Sequence, residues 1–452
     1  SARESFIQAL KIDPNLVDAY FSLGNTEQKL SDNDAAITHY KQAIALRSDF
    51  VDAIAKLASL LERTNNIDET GKLVRQGLAL APDNPSLLLT KANTLRRNEE
   101  YQPAIDLLLE ALAYSPNENI CLDIHQRLGQ NYDRLDDATR AFEHFSTGKN
   151  IAAKIAQQKG IDKNVYLQRV DELGKLCTPA LAHCQTRSVD PAYNPDLAFL
   201  VGFPRSGTTL LEQILDSHPQ IETLEEQPTV LAMFKEFYDE THPSADQLIQ
   251  LDDSEIDHLR KTYFRAVSRY REVPEGKLFI DKLPLNIDKA HFIWRIFPEA
   301  RFILAIRHPC DACLSCFMQS FSLNQAMANF CSLEDTINLY SKIMGNWRNY
   351  ADMLPINYHR IRYEDLIVNF EQETRSLLEF LGVGWHDDIL DHTRHAQSRS
   401  NINTPSYHQV SQPIYQHARY RWKKYQRFFE PLMADLGPFI EHFGYADNDS
   451  TA

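Results

Sequence analysis

Leu197-Ala198-Phe199-Leu200-Val201-Gly202-Phe203-Pro204-Arg205-Ser206-Gly207-Thr208-Thr209-Leu210 is the stretch that decides how this chain is read. Its first five residues form an unbroken apolar run, the pattern of a strand buried on both faces of a parallel sheet. A loop bounded by Gly202 and Gly207 follows, and from Leu210 to Leu215 apolar residues recur at helical spacing. Strand, glycine-bounded loop and helix together make an anion cradle, because loop amides and a helix N-terminus turn positive dipoles toward one point. The frame is Gly-x4-Gly, but Thr208 stands where a nucleoside triphosphatase carries its phosphate-binding lysine. The next clear apolar run, Phe302-Ile303-Leu304-Ala305-Ile306, ends in Arg307-His308-Pro309, a cation where a magnesium-holding aspartate is needed. A metal-dependent triphosphatase is therefore disfavoured, and the missing lysine also argues against a metal-independent nucleotide kinase.

Further along, Arg307 and Ser315 lie eight residues apart. A guanidinium fork matches phosphate, and a serine one to two turns into the following helix adds a hydroxyl donor. Residues 394–429 hold seven Lys or Arg and no Asp or Glu, inside a chain of net charge −15. Such a run is commonly a solvated face. Interleaved with Ser, Gln and Tyr, it is better explained as a lid over a polyanion.

Pro204-Arg205-Ser206-Gly207-Thr208-Thr209-Leu210 resembles the 5′-phosphosulfate loop of sulfotransferases that use 3′-phosphoadenosine 5′-phosphosulfate (PAPS). Its continuation, Leu215-Asp216-Ser217-His218-Pro219 and then Glu225-Glu226, resembles the tyrosylprotein sulfotransferase branch. The resemblance implies that the loop holds the 5′-phosphate through Ser206, Gly207, Thr208 and Thr209, with Arg205 facing the bridging oxygen of the phosphosulfate. It implies a 3′-phosphate site at Arg307 and Ser315, although the family's further arginine is Gln319 here. It carries nucleotide contacts onto Tyr363, in Arg362-Tyr363-Glu364-Asp365-Leu366. Gln409 and Arg421, in Ser406-Tyr407-His408-Gln409-Val410 and Arg421-Trp422, are nucleotide contacts by the same likeness, with arginine replacing the branch's lysine. The expected product is 3′,5′-ADP. No metal is expected, because a donor sulfate carries less charge than a γ-phosphate and fixed cations suffice for the leaving group.

For the chemistry, the resemblance assigns the general base to Glu226, just past the first helix of the domain. Glu225 beside it adds a like charge that favours protonation of either group. Without the surrounding motif the pair reads as solvated surface. Lys282, in Phe279-Ile280-Asp281-Lys282-Leu283-Pro284, matches the lysine on the transferring group, and Ser406 is expected to donate to the same region. His218 is an alternative base, but its place in Asp-Ser-His-Pro at a helix end favours a capping role.

Upstream of this domain the chain is periodic. Pro14, Ser48, Pro82 and Pro116 recur at 34 residues, as do Ala9, Ala43, Gly77 and Ala111. Leu23, Leu57 and Lys91 share the period with Gly24, Ala58 and Ala92, and with Ala36, Thr70 and Ala104. The pattern resembles tetratricopeptide repeats, in which small residues let paired helices approach closely. A fourth copy, Leu128, Gly129, Tyr132, Ala141 and Phe145, is offset by three residues and predicts a longer turn after Pro116. Because Ala2 to Pro14 covers only the second helix of a repeat, the array is expected to extend upstream. Such a solenoid offers a concave surface to a peptide or protein; a dimerisation arm or spacer is the plainer alternative, with a homodimer the assembly it suggests.

The expected architecture is a tetratricopeptide-like solenoid over 1–150, a helical linker over 151–195, and a parallel-sheet α/β sulfotransferase domain over 196–452. With no run of about 18 apolar residues, no membrane span is expected, and the negative charge speaks against a nucleic-acid partner. Seven cysteines, an odd number thinly spread, read as reduced thiols and a cytoplasmic protein. Cys310, Cys313 and Cys316 have cluster-like spacing, but Ser320 stands where an Fe–S run would want a fourth cysteine, and a buried helix face explains them better. The reading as a whole is transfer of a sulfuryl group to an acceptor hydroxyl, a protein tyrosine foremost. The alternatives are a carbohydrate or small-molecule acceptor, or an inactive nucleotide-binding scaffold.

Overall fold

The computed structural model describes residues 2–184, 196–238, 244–273, 276–391 and 419–446. Two compact units meet in sequence between Ile155 and Ala156.

The first unit is a stack of antiparallel helices: α1 (Ala2–Ile12), α2 (Val17–Lys29), α3 (Asn33–Leu46), α4 (Val51–Arg63), α5 (Ile67–Leu80), α6 (Pro85–Arg97), α7 (Tyr101–Ala113), α8 (Glu118–Arg134) and most of α9 (Ala138–Gln158). Its small residues are where helices touch. A Cβ on Gly24 would lie 2.5 Å from the Tyr40 ring, and one on Gly129 would lie 2.8 Å from Phe145. Ala36, Thr70 and Ala104 are fully buried. The fourth repeat departs from expectation. The turn before α8 is no longer than its counterparts; instead α8 runs 17 residues against 13 in α4 and α6. Asn117 caps the lengthened helix, its side chain accepting from the Ile120 amide at 3.1 Å, so the extra residues are helical because a cap was available one turn earlier.

The second unit is built on a five-stranded sheet, all parallel, in the order β2-β3-β1-β4-β5. The strands are β1 (Leu197–Gly202), β2 (Ile221–Glu225), β3 (Leu278–Lys282), β4 (Arg301–Ile306) and β5 (Tyr358–Arg362). Helices α10 (Lys163–Leu176), α11 (Thr208–Asp216), α12 (Thr229–Phe237), α13 (Ala245–Gln250), α14 (Asp253–Val267), α15 (Ala290–Ile296), α16 (Pro309–Met318), α17 (Leu333–Met353), α18 (Tyr363–Val368), α19 (Phe370–Leu381) and α20 (Met433–His442) surround it. Alternation along β1 sends Ala198 and Leu200 toward α11 and α19, in one apolar layer. Phe199 points the other way, 5.9 Å from the Tyr263 ring of α14 and 5.7 Å from Phe302, which in turn lies 6.2 Å from Trp347 of α17. From β1 the chain builds outward through β2 and β3 on one side and through β4 and β5 on the other. The crevice at the C-terminal ends of β1 and β4 is thus a topological switch point, where open α/β sheets place ligands.

Helix α10 belongs to this second unit. Asp171 pairs with Lys342 of α17 at 2.5 Å, the Val170 carbonyl accepts from Asn346 at 2.8 Å, and Lys163 pairs with Asp335. Tyr166 donates to Asp288 at 2.8 Å.

Candidate active site

The loop after β1 leaves the sheet through close packing. A Cβ on Gly202 would meet the Ala305 carbonyl of β4 at 2.4 Å. Arg205 (φ 69°) and Gly207 (φ 93°) both have left-handed backbone, which turns the loop into the first turn of α11. At Gly207 a side chain is excluded twice, by φ and by Tyr363 Cδ2, which would lie 2.8 Å from a Cβ. Ser206, Thr208 and Thr209 are buried where the first amides of α11 lack intrahelical partners.

The loop is braced by α16. Arg205 Nε donates to Ser315 Oγ at 3.1 Å, and the Cys316 thiol donates to the Pro204 carbonyl at 3.2 Å. Arg307, at the end of β4, reaches the Arg205 carbonyl at 3.5 Å and lies 4.9 Å from the Tyr363 ring centroid. Burial works against the Arg307 charge, but Asp311, Tyr363 and Glu364 outweigh it and raise its pKa. Asp311 itself is pushed up to about 6 by burial, partly offset by Arg307. Glu364 ties the turns after β4 and β5 together: it accepts from the His308 amide at 3.0 Å and from Tyr445 at 2.7 Å. The bracing roles of Cys316 and Glu364 leave no trace in the sequence, because thiol–carbonyl and amide–carboxylate braces have no spacing signature.

A second cluster sits at the ends of β2 and β3. The Lys282 ammonium is 2.9 Å from Glu212 of α11, 2.9 Å from Glu226 and 3.7 Å from Glu225. Burial opposes its charge and the three carboxylates prevail, so its pKa is raised. Lys282 and Glu212 are wholly inaccessible and Glu225 is 16% exposed, while Glu226 keeps 36% of its side-chain surface, so an incoming molecule would meet Glu226 first. Glu226 has φ 45° and its amide donates to the Lys282 carbonyl at 2.7 Å. That bond carries the ladder one residue past β2 and fixes where the side chain points. Glu212 is a member the sequence did not reveal. It lies one turn beyond Thr208 on α11, so one helix joins the loop to the carboxylate–lysine cluster.

Of the expected residues, Arg205, Ser206, Gly207, Thr208, Thr209, Arg307, Ser315 and Tyr363 converge on the loop, and Glu226 and Lys282 on the second cluster. Arg421 opens a short 3-10 turn whose next residue, Trp422, donates its amide to Asp311 at 2.9 Å and stacks on His308 with ring centroids 5.1 Å apart. Arg421 is thereby fastened beside the helix that follows Arg307. Ser406 and Gln409 lie outside the described residues. His218 is a structural bridge: its Nε2 lies 2.8 Å from the Gly384 carbonyl and its Nδ1 accepts from the Gln220 amide at 3.1 Å. Gln319 turns its amide onto the Ser320 carbonyl at 3.0 Å. Cys310, Cys313 and Cys316 are buried, reduced thiols on α16.

The model of the sulfotransferase family matches residues 196–387, and that of the tetratricopeptide repeat matches 17–50. Residues 196–387 are a sulfotransferase-family domain. By these matches residues 17–50 are a tetratricopeptide repeat, and the domain over 196–387 puts the protein with the transferases. Protein-tyrosine sulfotransferase 2 of Gallus gallus is 26% identical over 318 residues, 65% of this chain and 82% of that protein. An uncharacterized protein of Aquifex aeolicus is 25% identical over 315 residues, which is 67% of this chain but only 40% of that protein. The sulfotransferase domain of the Synechococcus olefin synthase is a structural neighbour at 19% identity and a TM-score of 0.33, covering 54% of this chain and 98% of that domain. Among the described residues, no helix is long and apolar enough to cross a membrane.

Proposed function

We propose that the sulfotransferase moves a sulfuryl group from PAPS to the hydroxyl of a protein or peptide acceptor, a tyrosine foremost. The observation that carries this reading is the placement of two sites by one helix. The N-terminus of α11 faces the Arg205–Ser315–Arg307 group, and Glu212 of the same helix holds Lys282 against Glu226.

The residues present fit a doubly phosphorylated nucleotide. The donor set around the loop is guanidinium, hydroxyl and helix amide, and at Gly207 the loop backbone carries no side chain, with the Tyr363 ring packed against it. Thr208, Thr209 and Arg205 would hold the 5′ end, Arg307 and Ser315 the 3′-phosphate, and Tyr363 and Arg421 the nucleotide, with Ser406 and Gln409 expected to join them. When bound, PAPS supplies the sulfuryl group, whose bond to the donor phosphate oxygen breaks as the acceptor O–S bond forms. Glu226 takes the proton of the acceptor hydroxyl. Once neutral it releases its hold on Lys282, which Glu212 keeps in place, so the ammonium charge turns to the oxygens that gain charge. A carboxylate is a weak base, better suited to a phenol of pKa about 10 than to an aliphatic alcohol. The protein-tyrosine sulfotransferase relatives and the peptide-binding type of the repeats support the same acceptor class.

The test is PAPS-dependent transfer measured against phenols, sugars and tyrosine peptides. Binding of 3′,5′-ADP should raise Tm by mass action without added Mg²⁺. Arg307→Ala should weaken 3′,5′-ADP by about tenfold or more, the scale of a lost charge-assisted hydrogen bond, and leave 5′-AMP nearly unchanged. Equal losses for both nucleotides would remove the 3′-phosphate assignment, and transfer to sugars alone would replace the acceptor.

A further inference from the structure

Asp311, in the first turn of α16, is sealed from solvent, and its two carboxylate oxygens are used unequally. Oδ1 accepts from the Trp422 amide at 2.9 Å, which fastens the chain next to Arg421. Oδ2 is buried with no hydrogen-bond partner and lies 3.8 Å from Nη2 of Arg307, too far for a hydrogen bond. A protein interior seldom leaves a carboxylate oxygen in that state. Glu364 close by shows the contrast: it accepts from the His308 amide at 3.0 Å through one oxygen and from the Tyr445 hydroxyl at 2.7 Å through the other.

Arg307 is the guanidinium read above as the 3′-phosphate anchor. A phosphate bonded to the same nitrogen would lie at most about 7 Å from Oδ2 of Asp311. Two anionic groups that close, sharing one cation away from solvent, cannot both keep full charge without cost. We infer that Asp311 takes up a proton from solvent when a 3′-phosphorylated nucleotide binds Arg307, the carboxylate becoming a carboxylic acid as the phosphate replaces it as counter-ion. The inference rests on the 3′-phosphate reading of Arg307 and adds that occupancy of that site answers to pH.

The other described groups around Asp311 leave the proton to it. Arg307 at the end of β4, and Arg362 and Lys423 on the neighbouring segments, stay cationic near neutral pH. His308 is pushed down to about 3 by burial and is neutral there. Burial holds Tyr340 of α17 and Tyr445 well above the usual phenol range. Glu364 has both oxygens committed to hydrogen bonds. The Asp311 carboxyl itself, raised by burial to about 6, is mostly ionised at pH 7 and so has room for nearly one proton. Because binding consumes a proton, affinity rises as pH falls.

The experiment is titration calorimetry of the full chain with 3′,5′-ADP at pH 7, in buffers of differing ionisation enthalpy, which counts the protons exchanged. Net uptake of about half a proton or more is expected, and 5′-AMP should give none. The 3′-phosphate cannot supply that sign: with a second pKa of about 6, it only sheds protons on meeting a cation. Asp311→Asn keeps an oxygen for the Trp422 amide but has no charge and no proton to gain. It should lose the uptake and bind 3′,5′-ADP about tenfold more tightly than the wild type at pH 8, one pKa unit of differential interaction. The advantage should close toward pH 5, and 5′-AMP should bind both proteins alike. Zero uptake or net release by the wild type overturns the inference whatever the variant does. Weaker binding of 3′,5′-ADP by Asp311→Asn at every pH overturns it too, since that is the mark of a merely structural carboxylate. If Arg307→Ala weakens 3′,5′-ADP while the wild type takes up no proton, the 3′-phosphate reading stands and this inference alone falls. If the wild type binds 3′,5′-ADP no better than 5′-AMP, both fall.

Discussion

Glu226 and Glu212 hold the same ammonium at the same distance, 2.9 Å, yet they do different work. Glu226 keeps contact with solvent, so Glu226→Gln should cut kcat by about 10²-fold or more, the scale of a general base, and leave 3′,5′-ADP affinity nearly intact. Turnover and nucleotide thermal shift on one preparation separate the two; full activity would move the base elsewhere. Glu212 is sealed in and acts through Lys282. Glu212→Gln should destabilise the protein by about 1.5–3 kcal/mol, the scale of one hydrogen bond to a charged group, since Glu226 and Glu225 still face Lys282. It should also lower kcat more than it raises the acceptor KM, a split that a merely structural residue would not give. The strand-end position of Lys282 was legible, because apolar runs mark strand ends. Its pairing with Glu212 was not, because a lone acid in a helix reads as a solvent-facing residue and the partner lies on a distant strand.

The loop joining β1 to α11 is the element the sequence described best. Its Gly202 and Gly207 are demanded by a close approach to Ala305 and by left-handed backbone against Tyr363. Gly207→Ala should cost about 1–2 kcal/mol for the φ alone, and it should weaken 3′,5′-ADP by displacing the Tyr363 ring. Denaturant unfolding with and without the nucleotide measures both; unaltered nucleotide affinity would show that Tyr363 has no part in the site. The cysteine-spaced segment was legible as a buried helix face, and α16 is one, but the thiol of Cys316 holding the Pro204 carbonyl was hidden. In the repeats, the small residues announced the helix packing. The fourth copy's offset was read as turn, since nothing in its spacing tells a longer loop from an earlier cap at Asn117.

Across both units, burial lowers the pKa of His39, His125, His144, His218, His291, His308, His359 and His442. Each is protonated more readily when unfolded, so each costs stability as pH falls below its unfolded value of about 6.5. Tm should fall between pH 7.5 and pH 5, and a flat profile would contradict this. Asp281 opposes the trend: burial pushes it up to about 6, against the hydrogen bonds from Thr229 and Tyr263. It binds its proton sooner when folded, so its contribution is present at low pH and lost as pH rises through about 6. Asp281→Asn should therefore be more stable than the wild type above pH 7, by on the order of 2–3 kcal/mol. That advantage should shrink toward pH 5, and a constant difference in Tm would refute the buried-carboxylate reading. A helical stretch within 151–195 was readable, but not the α17 surface that receives it, since Asp171, Val170 and Gly174 meet Lys342 and Asn346 only after folding. That docking bears on inheritance. A gene fusion that picked up the catalytic domain at residue 196 would arrive with the receiving face of α17 bare. One that broke near Ala156 would bring its own cover, so among recombinants that survive, breakpoints should gather there.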